Sequence, residues 1–348
     1  MDEQLLPDLL RLRGSVMAAS DEFFAAKENL IKPDAPAFVP ETYDAKGQVY
    51  DGWETRRRRG PGGTLPERAA RDWVIVRLGV PGVVRAIVVD TAYFTGNYPQ
   101  ACSADGCSAG GYPSPRELTA DADPSRWREI VPRALLTGDH RHVFKVTSGL
   151  RFTHVRLNIF PDGGVARLHV HGEVVPDPAL LEGLTVDLAA LENGADIAAR
   201  SDQFYSSPRN VISPGLSRVM GEGWETRRRR KPGYEWLVVR LAGRGVIHLA
   251  EIDTSWYRGN QPASASLQTM DATDPTHGSL ADESAWRDLL PKVRLLPDTP
   301  HRFRVDGGPA THVRLNIFPD GGVARLRLYG SFTDDGLAAV RRRWDETS

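Results

Sequence analysis

Residues 153–168 read THVRLNIFPDGGVARL, and residues 311–326 read the same letters again. A second string, GWETRRRR, stands at 52–59 and returns at 223–230. The offsets differ: 158 residues for the first string (311 − 153) and 171 for the second (223 − 52). Insertions and deletions accumulated between the strings while the strings stayed identical. The chain is an internal duplication, and function is to be sought in the segments that tolerated no change.

The longer string predicts β-structure. Val155, Leu157 and Ile159 alternate with His154, Arg156 and Asn158, the period of two of a half-buried strand. Pro161-Asp162-Gly163-Gly164 is a turn, since Pro fixes φ and Gly permits positive φ. Ala166, Leu168 and Val170 then alternate with Arg167, His169 and His171. The expectation is a β-hairpin with one apolar and one polar face, Asp162 capping its own turn. Strand-like runs at 72–78 and 85–97 recur at 235–241 and 248–260, and 33 Gly and 25 Pro suit many turns. The fold class expected is all-β, two tandem jelly-roll β-sandwich domains. The first repeat spans 8–173, a linker 174–183, the second repeat 184–335, and a helical tail 336–348.

The 348 residues carry a formal net charge of −1, which gives no general attraction to nucleic acid or an anionic membrane. No apolar run approaches the ~18 residues that span a bilayer. The start, MDEQLLPDLL, is acidic and unlike a signal peptide. These features lead to the expectation of a soluble, cytoplasmic protein. Two cysteines, Cys102 and Cys107, lie in a Gly/Ser-rich stretch read as a loop and form neither a disulfide framework nor a zinc pattern.

Three motifs carry candidate chemistry. In GWETRRRR, consecutive arginines cannot all be solvated on one strand face, so some turn to a carboxylate of the protein or of a ligand. Arg56, Arg57, Arg227 and Arg228 are the candidate carboxylate grips. Glu54 and Glu225 sit beside them as proton-transfer candidates, useful as bases only if burial raises their pKa. The second motif is Asp-Thr-x-x-aromatic-x-Gly-Asn-x-Pro, at a strand end in each repeat. It offers Asp90 and Asp253 as further acid–base candidates, and Thr91, Thr254, Asn97 and Asn260 as partners for a ureido or amide group. Asx-type turns are the alternative role for these residues. Third, Arg167 and Arg325 need an acid partner, from protein or substrate. His140/His142 and His169/His171 are H-x-H pairs. The second pair is replaced by Arg327 and Tyr329 in repeat 2, so a metal site is confined to repeat 1. No cofactor is expected, and the sequence lends a divalent metal no support beyond these histidines. P-loop, serine-hydrolase and dinucleotide fingerprints are absent.

Taken together, SDEFF at 20–24, DGWETRRRR, DTAYFTGNYP and NIFPDGGVARL resemble the allantoicase (allantoate amidinohydrolase) family, over nearly the whole chain and in both repeats. The resemblance implies two jelly rolls similar to galactose-binding domains. It also implies hydrolysis of allantoate to ureidoglycolate and urea in purine (allantoin) breakdown, by a homo-oligomer. Allantoate has one carboxylate and two ureido arms on one carbon, which suits an Arg cluster beside Asp, Thr and Asn. A non-catalytic carboxylate- or sugar-binding jelly roll is the alternative. The duplication allows a site in one repeat, in both, or between them.

Overall fold

The computed structural model describes residues 6–119, 124–273 and 279–348; part of the acidic start, residues 1–5, lies outside them. The chain forms two compact units, one running to Val174 and including Thr347–Ser348, the other Val175–Glu346. Both are mostly antiparallel β-structure, in keeping with two jelly-roll repeats.

Each unit is organised by one long strand. In the first it is Asp72–Asp90. Its first half pairs with Ser15–Ala19 and Arg151–Phe160, and its second half with Arg167–Val174 and Arg141–Lys145. Arg151–Phe160 extends the pairing to Ala101–Cys107, which pairs with Arg128–Leu135. One long strand thus joins all of these strands in a seven-stranded array, and its register with Arg151–Phe160 breaks between Arg77 and Gly82. A Cβ at Gly82 would lie 2.6 Å from the Glu173 carbonyl oxygen, so the close passage there needs glycine. The runs on either side of the break, Val74-Ile75-Val76 and Ile87-Val88-Val89, are buried throughout. They pack with Val155, Leu157, Ile159, Leu168 and Val170 in the core. Burying each such side chain contributes about 1.5–3 kcal/mol.

The second unit repeats the scheme around Glu235–Asp253. Its first half pairs with Asp196–Arg200 and Ala310–Phe318, its second with Arg325–Phe332 and Pro300–Arg304. Ser264–Met270 pairs with Ala310–Phe318 and Arg287–Arg294 with Ser264–Met270, within an eight-stranded array. Val186–Asp187 lies beside Arg325–Phe332, where the first unit has a single bridge from Asp8 to His171. A helix, Asp334–Glu346, ends the second unit.

Three sequence readings are corrected. The strands flanking Pro161-Asp162-Gly163-Gly164 do not form a hairpin with each other. Arg151–Phe160 and Arg167–Val174 pair with opposite halves of the long strand, because each finds its apolar partners there. The two strand-like runs at 72–78 and 85–97 merge into one continuous strand as far as Asp90. Cys102 and Cys107 lie buried in the Ala101–Cys107 strand, both as free thiols. Burial pushes the Cys102 thiol up to about 12, which leaves it unreactive.

Candidate active site in each repeat

The repeated strings converge in space. Trp53–Glu54 is a two-residue strand paired with Gly164–Val165, directly after the Pro-Asp-Gly-Gly turn. Trp53 is fully buried, and its Nε1 donates to the Asp21 carbonyl at 2.8 Å, fixing the strand from behind. The Thr55 N–H donates to the Gly163 carbonyl at 3.2 Å, and the Gly163 N–H donates to Thr55 Oγ1 at 3.1 Å. The turn also presses on the loop that leaves the long strand, since the Gly164 N–H donates to the Asn97 carbonyl at 2.8 Å. Gly163 has φ +138°, and a Cβ there would stand 2.7 Å from the Pro99 nitrogen. The first glycine of the turn's Gly-Gly pair is thus required by this close contact as well as by its positive φ. Repeat 2 is built alike: Trp224–Glu225 pairs with Gly322–Val323, and the Gly322 N–H donates to the Asn260 carbonyl at 2.9 Å.

At this junction the structure brings Glu54 and Asn97 together. The Asn97 amide donates to Glu54 Oε1 at 2.8 Å. Asn260 donates to Glu225 Oε1 at 2.7 Å. Both glutamates are half-buried. Burial raises the pKa of Glu54 above the ordinary glutamate value; the Asn97 bond and the Arg57 charge oppose this without cancelling it. Arg57 is held alongside by the Gly96 carbonyl at 3.2 Å, and Arg228 reaches the equivalent Gly259 carbonyl at 3.5 Å. A half-buried carboxylate, an amide bonded to it and an arginine reaching the carbonyl of the adjoining Gly-Asn step thus recur in both repeats.

The arginine run spreads outward to several acids. Arg56 pairs with Asp21, its Nε at 2.7 Å. Arg57 Nη1 lies 2.9 Å from Asp162, and the Arg58 N–H donates to the other oxygen of the same carboxylate at 2.7 Å. Arg58 also grips Asp72 at 2.7 Å. Asp162 is buried and holds the arginine segment; it does not cap its own turn, as the sequence had suggested. In repeat 2, Arg227 lies over the Phe204 ring at 4.4 Å, Arg229 pairs with Glu235 at 2.5 Å, and Asp320 accepts the Arg229 N–H at 2.8 Å. Arg227, Arg228 and Arg229 line a groove of about 770 Å³ with Asp202, Phe204 and Glu235. Asp21, Asp72 and Asp162 were not identified from sequence as partners. The signal for the first was the recurring Ser-Asp at 20–21 and 201–202.

Other candidates lie in the frame of the site. Asp90 Oδ1 accepts the Ala92 N–H at 2.8 Å, and Asp253 accepts the Ser255 N–H at 2.8 Å, so both close Asx turns. Thr91 and Thr254 are fully buried. The Thr91 hydroxyl bonds the Thr137 carbonyl at 2.7 Å, and that of Thr254 the Leu296 carbonyl at 2.7 Å, which ties two loops together. Arg167 is buried and binds the Asp34 and Asp51 carbonyls and the Asp51 carboxylate, the last at 2.6 Å. Burial pushes the Asp51 carboxyl up, and bonds from Arg167, Lys32 and Ala37 overcome this, leaving it at about 2. Arg325 binds the Gly215 and Glu222 carbonyls. The acid or carbonyl partners these residues needed are therefore within the protein. His142 accepts the Thr137 N–H at 3.1 Å and so holds a loop, as His301 does for Leu296 at 2.8 Å.

Comparison with known proteins agrees with this duplicated architecture. The family model described as "Allantoicase repeat" matches residues 8–175 and again 186–333. A probable allantoicase of Streptomyces coelicolor is 49% identical over 340 residues, covering 97% of this chain and 88% of the relative. A probable allantoicase of Nocardia farcinica is 52% identical over 331 residues, covering 93% and 94%. The crystal structure of allantoicase from Saccharomyces cerevisiae superposes with a TM-score of 0.73 at 34% identity, covering 93% of this chain and 92% of that one. The chain belongs to the allantoicase family.

Proposed function

We propose that this enzyme hydrolyses allantoate to ureidoglycolate and urea, and that each repeat carries one centre built on Glu54–Asn97–Arg57 or Glu225–Asn260–Arg228. The observation that carries the assignment of residues is the amide-held, half-buried glutamate beside an arginine, at the point where the repeated strings meet. The arginine holds the substrate carboxylate and stabilises charge as it develops. Glu54, its pKa raised by burial, takes a proton from water. The water oxygen bonds to the central carbon as the bond from that carbon to one ureido nitrogen breaks. The proton passes to the departing nitrogen, which leaves as urea. Asn97 keeps the accepting carboxylate oriented. All of these roles belong to the chain's own side chains.

The test is to incubate purified protein with allantoate and follow urea and ureidoglycolate, with and without a chelator. Urea release that survives the chelator supports the Glu–Asn–Arg centres. A binding module would release none. The same reading takes the enzyme to be a cytoplasmic homo-oligomer, consistent with exposed apolar side chains such as Leu65, Tyr112 and Leu135. Light scattering measures the mass. No helix among the described residues is long and apolar enough to cross a membrane.

A further inference from the structure

The histidine pair at 169 and 171 lies outside the proposed centres, and the fold brings it an acid from the other end of the repeat. Asp8 bridges to His171 in the backbone pairing, and Asp8, His169 and His171 each offer one ligand atom within 4.8 Å of the others. His169 Nδ1 lies 2.8 Å from Asp8 Oδ2. His171 is 9% exposed, and its Nδ1 is taken by the Leu6 carbonyl at 2.8 Å. That leaves Nε2 as the coordinating atom of His171, and Nε2 is buried with no hydrogen-bond partner. A ring nitrogen bonded to a backbone carbonyl while the other is left free is the arrangement of a metal-ligating histidine. An unmet buried nitrogen otherwise costs about 1–3 kcal/mol.

Repeat 2 fills the positions of the two histidines differently. Asp187 takes the place of Asp8, and Arg327 and Tyr329 take the places of the histidines. Arg327 Nη1 lies 3.6 Å from Asp187, and its Nη2 binds the Ser213 and Gly215 carbonyls at 2.6 and 2.7 Å. In both repeats an arginine stands 3.6 Å from the aspartate: Arg327 beside Asp187, and Arg11 beside Asp8 with its Nη1 turned to the Ile31 carbonyl. Where repeat 2 has Arg327 and Tyr329, repeat 1 carries two imidazoles, His169 and His171.

We propose that Asp8, His169 and His171 form a binding site for one divalent ion of the zinc class, fastening the segment around residues 6–10 to the Arg167–Val174 strand as Arg327 fastens Asp187 in repeat 2. Two imidazoles and one carboxylate suit zinc. Bonds of about 2.0–2.2 Å to a tetrahedral ion place ligand atoms about 3.4 Å apart, so the side chains adjust from separations that lie within 4.8 Å. The role is structural and independent of the proton chemistry assigned to Glu54.

The test uses the full chain, stripped with chelator and titrated with Zn²⁺ by calorimetry, with Co²⁺ absorption as the second readout. The expected result is one ion per chain, a tetrahedral Co²⁺ spectrum, and a Tm rise of about 5–10 °C when Zn²⁺ is 100-fold above its Kd. The variant His169→Arg/His171→Tyr installs the residues of repeat 2, so folding is expected to survive. It should lose both the Zn²⁺ binding and the Co²⁺ spectrum, and its Tm should no longer respond to zinc. Absence of stoichiometric binding to the wild-type chain, or binding unchanged in this variant, overturns the proposal. Urea release is followed separately, so loss of the zinc site and failure of the Glu–Asn–Arg centres give different results.

Discussion

The two repeats agree in one layer of the site and differ in the next. Glu54 and Glu225 are held by asparagine amides at 2.8 and 2.7 Å, and Thr55 and Thr226 lock their turns with Oγ1 contacts of 3.1 Å in both. Around that shared frame the charge pairing diverges. Arg57 is engaged by Asp162 at 2.9 Å, whereas Arg228 reaches only a carbonyl at 3.5 Å. Arg56 and Arg227 both lie over a phenylalanine ring and both give their N–H to an aspartate, Asp21 or Asp202, but only the Arg56 guanidinium also pairs with that carboxylate. The glutamate and its amide are held alike in both repeats, while the arginines beside them are neutralised by the protein to different degrees.

The largest effect should come from removing both acids. The variant Glu54→Gln/Glu225→Gln should lose about 10²–10⁴-fold in urea release while circular dichroism stays native. Next is Asn97→Ala/Asn260→Ala, which leaves both carboxylates unoriented. It should cost about 10–100-fold in kcat with a smaller change in KM, measured by steady-state kinetics.

The divergent layer is probed by stability. Asp162→Asn disrupts a buried carboxylate that meets both Arg57 and the Arg58 N–H. It should destabilise repeat 1 by about 1–3 kcal/mol in urea unfolding. Asp320→Asn, which disturbs the Arg229 N–H bond but no Arg228 ion pair, should cost less. Equal losses would erase the difference drawn between the repeats. In Glu225→Gln, where only repeat 1 works, kcat/KM should rise with pH through an ionisation above the ~4.3 of an ordinary glutamate, because burial raises Glu54. The smallest effect on turnover is expected from Thr91→Val, which removes a buried hydroxyl from two carbonyls. It should lower stability by about 1–3 kcal/mol and leave kcat within about twofold.

The sequence made the duplication, the β-class and the repeated strings legible, because period-two patterning and identity are local properties. It did not reveal pairing. Arg57 finds Asp162 105 positions away, and Glu54 finds Asn97 43 away. Asp90, Thr91 and Arg167 read as ligand groups because polar residues at strand ends look alike whether they serve a loop or a substrate. Only the Asx turns, the paired carbonyls and the Asp51 carboxylate tell these roles apart. The hairpin reading failed for the same reason: alternation specifies a strand and its buried face, whereas the partner strand is set by packing against the long central strand.

The most direct test of a centre in each repeat is the pair of single variants, Glu54→Gln and Glu225→Gln, assayed for urea release from allantoate beside the wild type. Each should retain about half of the wild-type rate, since the other centre still works, and the double variant should fall to background. Full activity in both single variants and in the double variant would contradict the role given to the glutamates. Full loss in one single variant with none in the other would contradict two working centres.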